Sequence, residues 1–187
     1  DLAPFTEWLG ELLAGGKRLR PAFCMWGYLG AGGQDIEPAL RAAASLELLQ
    51  ACALVHDDVM DDSDMRRGKP AAHRRFATAH RGEGWARDAE RFGESSAILL
   101  GDLCLSWADE MLLRCGFGPD ELGRAKGVFD RMRTELMAGQ FLDLLEQARG
   151  GGSVERALLV VRYKSAKYTI ERPLHLGAAL AGADSHV

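Results

Sequence analysis

The sequence has no stretch that reads as a membrane span. Its longest apolar run, 42–55, is interrupted by Glu47 and Gln50 and is too short and too polar to cross a bilayer. A signal-peptide pattern is absent as well, and the chain opens on Asp1-Leu-Ala-Pro4 as though cut into a longer protein. The four cysteines, Cys24, Cys52, Cys104 and Cys115, make no CxxC pair and lie in apolar surroundings. That excludes a zinc site or a disulfide framework and points to reduced core thiols in a cytoplasmic protein. With 23 basic against 27 acidic residues and a formal net charge of −4, no basic face dominates, which argues against nucleic acid as a partner. Strand-type alternation between turn signals is missing, so the expected class is all-α.

What is present is helix-forming sequence rich in Ala, Leu, Glu and Arg. The 187 residues suffice for one domain, expected over 1–187, that buries about two-thirds of its surface. Helices are predicted over 4–14, from Pro21 to Leu29, from Asp35 to about Asp62, over 71–81, over 88–115, over 119–149 and from Ser153 to about Thr169. Gly15-Gly16 closes the first, as glycine tolerates the left-handed cap. Residues 66–70 are expected to form a loop, and Pro173 is expected to break or kink the last helix before a final apolar piece through Ala183. Residues 42–55 are apolar nearly all round, the mark of a helix central to a bundle.

Where that central helix ends, five aspartates fall within eight positions: Asp57, Asp58, Asp61, Asp62 and Asp64, followed by Arg66, Arg67 and Lys69. On a helix, Asp57, Asp58 and Asp61 share one face and repel one another, which calls for a counter-ion. Mg²⁺ suits them, since it takes carboxylate oxygens, retains waters and bridges to phosphates. The plain alternative is a solvated acidic helix end. Lys17, Arg18 and Arg20 beside the glycines form either a phosphate clamp or a wet loop. A nucleotide P-loop is excluded, because Glu11 stands where its first glycine belongs and Arg18 where a hydroxyl belongs. Gln140 and Asp143 stand one turn apart on an otherwise apolar face, as a structural network or as part of a site. His56-Asp57 invites a metal phosphohydrolase of the His-Asp type. That reading needs further histidines, and His73, His80, His175 and His186 lie on no strongly apolar helix face.

In order along the chain, Gly15-Gly-Lys-Arg-Leu-Arg-Pro21, Gln50 to Arg67 with Asp57-Asp-Val-Met-Asp61, Gly101-Asp102, Gln140-Phe-Leu-Asp143 and Lys164-Ser165 resemble the landmarks of the polyprenyl synthase (trans-isoprenyl diphosphate synthase) family, most like its geranylgeranyl and polyprenyl members. The resemblance implies an isoprenoid-synthase-type helical bundle around a central cavity, usually a homodimer. It implies condensation of an allylic diphosphate with isopentenyl diphosphate. It also implies roles: Asp57, Asp58 and Asp61 for Mg²⁺ on the allylic diphosphate, Arg66 and Lys164 for its phosphates, and Lys17, Arg20, Arg67 and Gln50 for isopentenyl diphosphate. Ser165 and Gln140 would face the developing allylic cation. Small Cys52 and Ala53, one turn below the carboxylates, would let the product grow to about twenty carbons, geranylgeranyl diphosphate. The family's second aspartate-rich motif has no counterpart here, the only aspartate after Asp143 being Asp184. The bundle is therefore expected to be incomplete in its C-terminal part, leaving apolar faces around Leu103, Phe141 and Leu174 open. A class I terpene cyclase, which binds no second diphosphate, and a non-catalytic subunit, which needs no metal site, are the alternatives.

Overall fold

The computed structural model describes residues 2–150 and 152–183; Asp184 and His186, named above, lie outside them. Helices account for most of it: α1 (Ala3–Ala14), α2 (Leu19–Gly30), α3 (Ile36–Met60), α4 (Ala72–Gly82), α5 (Ala89–Leu113), α6 (Pro119–Arg149), α7 (Val154–Val160) and α8 (Arg172–Leu180). A π-helix over Val161–Glu171 joins the last two. The expected all-α class is what the structure shows, with one small exception. Residues 66–70 are not a plain loop: Met65–Arg66 (β1) pairs antiparallel with Lys69–Pro70 (β2). Arg67 and Gly68 both have positive φ, 54° and 77°, the two-residue turn that matches the twist of paired strands.

The chain divides into two compact units. The first comprises residues 1–17 and 47–110. Its core is built by Leu49, Cys52 and Val55 of α3, Phe76 of α4, and Leu100 and Cys104 of α5, all buried. Against Phe76, α1 lays Trp8 at 4.0 Å and Phe5 at 5.0 Å between ring centroids. These contacts fix a helix that buries only Leu9 completely.

The second unit comprises residues 18–46 and 111–187. Phe129 and Met132 of α6, Leu176 and Leu180 of α8, Cys24 of α2 and Leu112 of α5 are fully buried there. Each such side chain contributes about 1.5–3 kcal/mol by leaving water. Helices α2 and α8 touch backbone to backbone: a Cβ at Gly27 would overlap the Leu174 carbonyl, and one at Gly177 the Cys24 carbonyl. The long α6 starts on Pro119 with Asp120 and Glu121 in its first turn and ends at Gly150, φ 66°, the arrangement that pairs with the helix dipole and its left-handed cap. Ser153 caps α7 as expected, its Oγ accepting from the Arg156 N–H at 3.3 Å.

Pro173 does not break the chain's last helical run. It falls in the first turn of α8, directly after the π-helix, and the irregularity expected of a proline inside a helical run lies before it, in that segment. Phe141 is 64% exposed, while Leu103 and Leu174 are half-buried. By length and composition α3 would suffice to cross a membrane, which the interrupted apolar run did not suggest. Yet 56% of its most apolar window is buried inside the protein, as in a core helix.

Candidate active site

In the first unit the five aspartates sort themselves by partner. Asp58 points inward, 2% exposed, and takes the Arg66 guanidinium: Nε donates to Oδ1 at 2.9 Å and to Oδ2 at 3.2 Å, and Nη2 donates to Oδ1 as well. This bond, opposed by burial, raises the Arg66 pKa further above its ordinary value. Asp62 and Asp64 each accept from Arg74 at 2.8 Å. Asp57 is half-buried and Asp61 exposed. The Asp61 N–H donates to the Asp57 carbonyl at 2.8 Å, so the two carboxylates stand one helical turn apart. Asp57 also receives Arg66 Nη2, at 3.4 Å.

Beside this helix end is a cavity of about 330 Å³ whose charged lining is Arg66, Arg67, Lys69 and Arg75 with Asp58 and Glu11. Arg67 owes its place to the hairpin. Its left-handed backbone, which costs a non-glycine residue about 1–2 kcal/mol, carries the guanidinium to the end of α1, where Nη1 donates to the Leu12 carbonyl at 3.0 Å. There it lies flat on Gly15 and Gly16; a Cβ on either would come within 3.1 Å of it. Gly15 is extended, φ −96°, not the expected left-handed cap, and only Gly16, φ 111°, has a backbone that favours glycine; a side chain at either would crowd the Arg67 guanidinium.

Of the other residues expected to grip isopentenyl diphosphate, none lines this cavity. Lys17 is exposed. Arg20 belongs to the second unit, where it stacks over Tyr168 at 4.2 Å and donates to Thr169 Oγ1 at 2.9 Å. Gln50 is half-buried, with its Oε1 buried and unpartnered, a state that costs about 1–3 kcal/mol and favours a ligand or water beside it. Cys52 faces the interior. Burial pushes its thiol up to about 11 and that of Cys104 to about 12, so both are inert, as expected of core cysteines. Ala53 is only half-buried, one turn below Asp57.

His56 is a brace. Its Nε2 donates to the Ile98 carbonyl at 3.0 Å, which leaves Nδ1 to accept the Cys52 thiol at 3.7 Å. A Cβ at Gly101 would overlap the ring, which explains the glycine of Gly101-Asp102. Contrary to expectation, His73 and His80 are buried, 2% and 4% exposed. Burial lowers the His73 pKa, and His80 donates to the Ala86 carbonyl at 3.0 Å. They sit on the inward side of α4, whose wet composition hides them.

The second unit gathers the later landmarks. Gly139 lets the π-helix backbone approach, its would-be Cβ standing 2.5 Å from the Lys164 nitrogen. Lys164 then donates to Asp143 at 2.6 Å. Gln140 is half-buried nearby on α6, and Ser165 is exposed. Lys167 and Arg172 converge on Glu135, Lys167 at 2.8 Å and Arg172 twice at 2.7 Å, and hold its carboxyl down to about 2, with Arg172 the larger cause. Neither Glu135 nor its two cations stood out in the sequence, because single charges on helices look like surface.

Among the described residues no three His, Cys, Asp or Glu side chains converge to hold a metal by themselves. The pair Asp57 and Asp61 instead fits an ion that takes one or two carboxylates and completes its shell with water and phosphate oxygens, as Mg²⁺ does.

Aspartates at a helix end beside a cavity lined with arginine and lysine, in a mainly helical frame, have a chemistry that suits phosphate oxygens and a divalent cation. The chain belongs to the polyprenyl synthetase family, whose model matches residues 3–187. It is similar to a geranylgeranyl diphosphate synthase of Methanosarcina mazei, 33% identical over 174 residues that cover 93% of this chain and 48% of that protein. A chloroplastic geranylgeranyl pyrophosphate synthase of Arabidopsis thaliana is 35% identical over 92% of this chain and 46% of its own. The crystal structure of geranylgeranyl pyrophosphate synthase from Corynebacterium glutamicum, complexed with isoprenyl diphosphate and magnesium, superposes with a TM-score of 0.94 at 44% identity, covering 98% of this chain and 53% of that one. The chain thus spans about half the length of the relatives it matches.

Proposed function

We propose that the protein is a Mg²⁺-dependent prenyltransferase that condenses an allylic diphosphate with isopentenyl diphosphate, its product being geranylgeranyl diphosphate. The observation that carries this reading is the placement of Asp57 and Asp61 one turn apart at the end of α3, with the cation-lined cavity beside them. Family membership and the relatives' names support it. Asp57 and Asp61 would hold the metal. When bound, it supplies positive charge that neutralises the leaving diphosphate as the C–O bond ionises. Asp58, expected as a third ligand, is assigned here to hold Arg66 in place, so that the remaining donors of Arg66 reach a phosphate.

Arg67, with Lys17 and Gln50, would receive isopentenyl diphosphate; the roles that the family resemblance gives Arg20 and Lys164 would fall to the second unit, where Lys164 would exchange Asp143 for a phosphate. The Gln140 carbonyl and the Ser165 hydroxyl would present oxygen to the allylic cation, and buried apolar side chains would keep water from it. Ala53 would set the depth open to the growing tail. A cytoplasmic homodimer is the assembly that goes with this reading. The test is the complete protein with labelled isopentenyl diphosphate, each allylic starter and Mg²⁺, products resolved by length. Asp57→Ala should abolish turnover while circular dichroism stays unchanged; normal activity in that variant sinks the assignment.

A further inference from the structure

The cavity of the first unit holds two cations that the family landmarks leave without a role. Lys69 follows the hairpin turn, and Arg75 lies on α4. Both converge on Glu11 of α1: Lys69 Nζ donates to Oε2 at 2.9 Å, and Arg75 donates to Oε2 at 3.2 Å and to Oε1 at 3.1 Å. A carboxylate gripped by an arginine fork and an ammonium occupies the kind of place a phosphate takes. Glu11 is 43% exposed at its side chain, so the grip lies at the cavity mouth. These bonds, Arg75 first and then Lys69, hold its carboxyl down to about 2, and it stays ionised at any working pH.

Glu11 is not what keeps α1 in place. Phe5 and Trp8 pack on Phe76, Leu9 is buried, and Arg67 bonds the Leu12 carbonyl. Nor would Arg75 swing away without Glu11, because its guanidinium stacks over the Trp8 ring at 4.9 Å. The carboxylate therefore adds charge where the architecture is already fixed. Arg66 is matched within the cavity by Asp58, and Lys69 and Arg75 by Glu11, whereas Arg67 is held by a backbone carbonyl.

We propose that Glu11 is a built-in counter-anion: an incoming diphosphate displaces its carboxylate and takes Lys69 and Arg75 as further ligands beside Arg67. The inference rests on the reading above, in which this cavity receives isopentenyl diphosphate. Glu11 thereby weakens resting affinity for that substrate and keeps a cation-rich cavity from retaining stray anions.

The test uses the complete protein and isopentenyl diphosphate without an allylic partner, so that calorimetry reads binding with no turnover. Glu11→Gln, nearly isosteric and without charge, should bind it about threefold to tenfold more tightly, in keeping with the modest coupling of exposed ion pairs. Adding Lys69→Met to that variant should reverse the gain. In turnover, the KM for isopentenyl diphosphate should fall relative to that of the allylic partner. Weaker or unchanged binding by Glu11→Gln overturns the counter-anion, weaker binding showing that Glu11 fastens the cavity instead. A wild-type protein that binds no isopentenyl diphosphate at all removes the cavity assignment itself, and the inference with it.

Discussion

Glu135 offers the sharpest test of how the second unit is held together. Its side chain is 16% exposed and those of Lys167 and Arg172 are 12% and 9%. The carboxyl falls from an ordinary value of 4.5 to about 2. That lowering corresponds to about 3 kcal/mol at neutral pH, which partial solvent screening reduces to about 2 kcal/mol. Because the folded-state value is the lower one, this stability is fully present above about pH 4.5 and is lost as pH falls through about 2. Glu135→Gln keeps the shape, removes the charge and leaves two nearly buried cations facing an amide. It should lower the melting temperature at pH 7 by about 4–8 °C for a chain of this size. Thermal unfolding followed by circular dichroism from pH 7 to pH 2 checks both parts. The wild type should lose its advantage over the variant progressively across the acid window. A variant that melts with the wild type at neutral pH would show that the three charges are solvated and that the network contributes nothing.

Gly177→Ala should destabilise by about 1–3 kcal/mol or more, because the new methyl meets the Cys24 carbonyl of α2, which is backbone and cannot turn aside; an unmoved urea midpoint would contradict the close helix contact. Ala53→Phe in the complete protein should shift products to shorter chains by mass spectrometry, and unchanged lengths would mean that this face of α3 does not meet the tail. Cys52→Phe, in contrast, should unfold or destabilise the first unit, since that side chain is 0% exposed and a ring there would overpack the core.

The all-α class and most helix ends were legible because periodicity, caps and glycines speak locally: Ser153, Gly150 and Pro119 sit where their chemistry places them. The landmarks were legible because their residue types are costly without a reason, as with five aspartates in eight positions. What stayed hidden depends on partners far along the chain. Asp58 looks equivalent to Asp57 and Asp61 until the hairpin returns Arg66 to it, eight positions later. Gly15 and Gly16 read as a helix stop, and only Arg67 reveals their second duty. Lys164 read as a phosphate ligand with no hint of Asp143, and the burial of His73 and His80 is invisible in a polar helix.

The π-helix over Val161–Glu171 has a consequence for how this chain tolerates change in length. Its i→i+5 bonding takes up more residues per turn than an α-helix does. Lys164, Lys167 and Arg172 thereby meet Asp143 and Glu135 on α6, while Gly177 still arrives against Cys24. Deleting one residue from this segment would favour ordinary α-helix there and rotate everything after it by about 100°. Gly177 would turn away from α2 and a bulkier neighbour would take its place. The segment thus works as a vernier between two fixed docking points, and its residue count is constrained more tightly than the identity of most of its side chains.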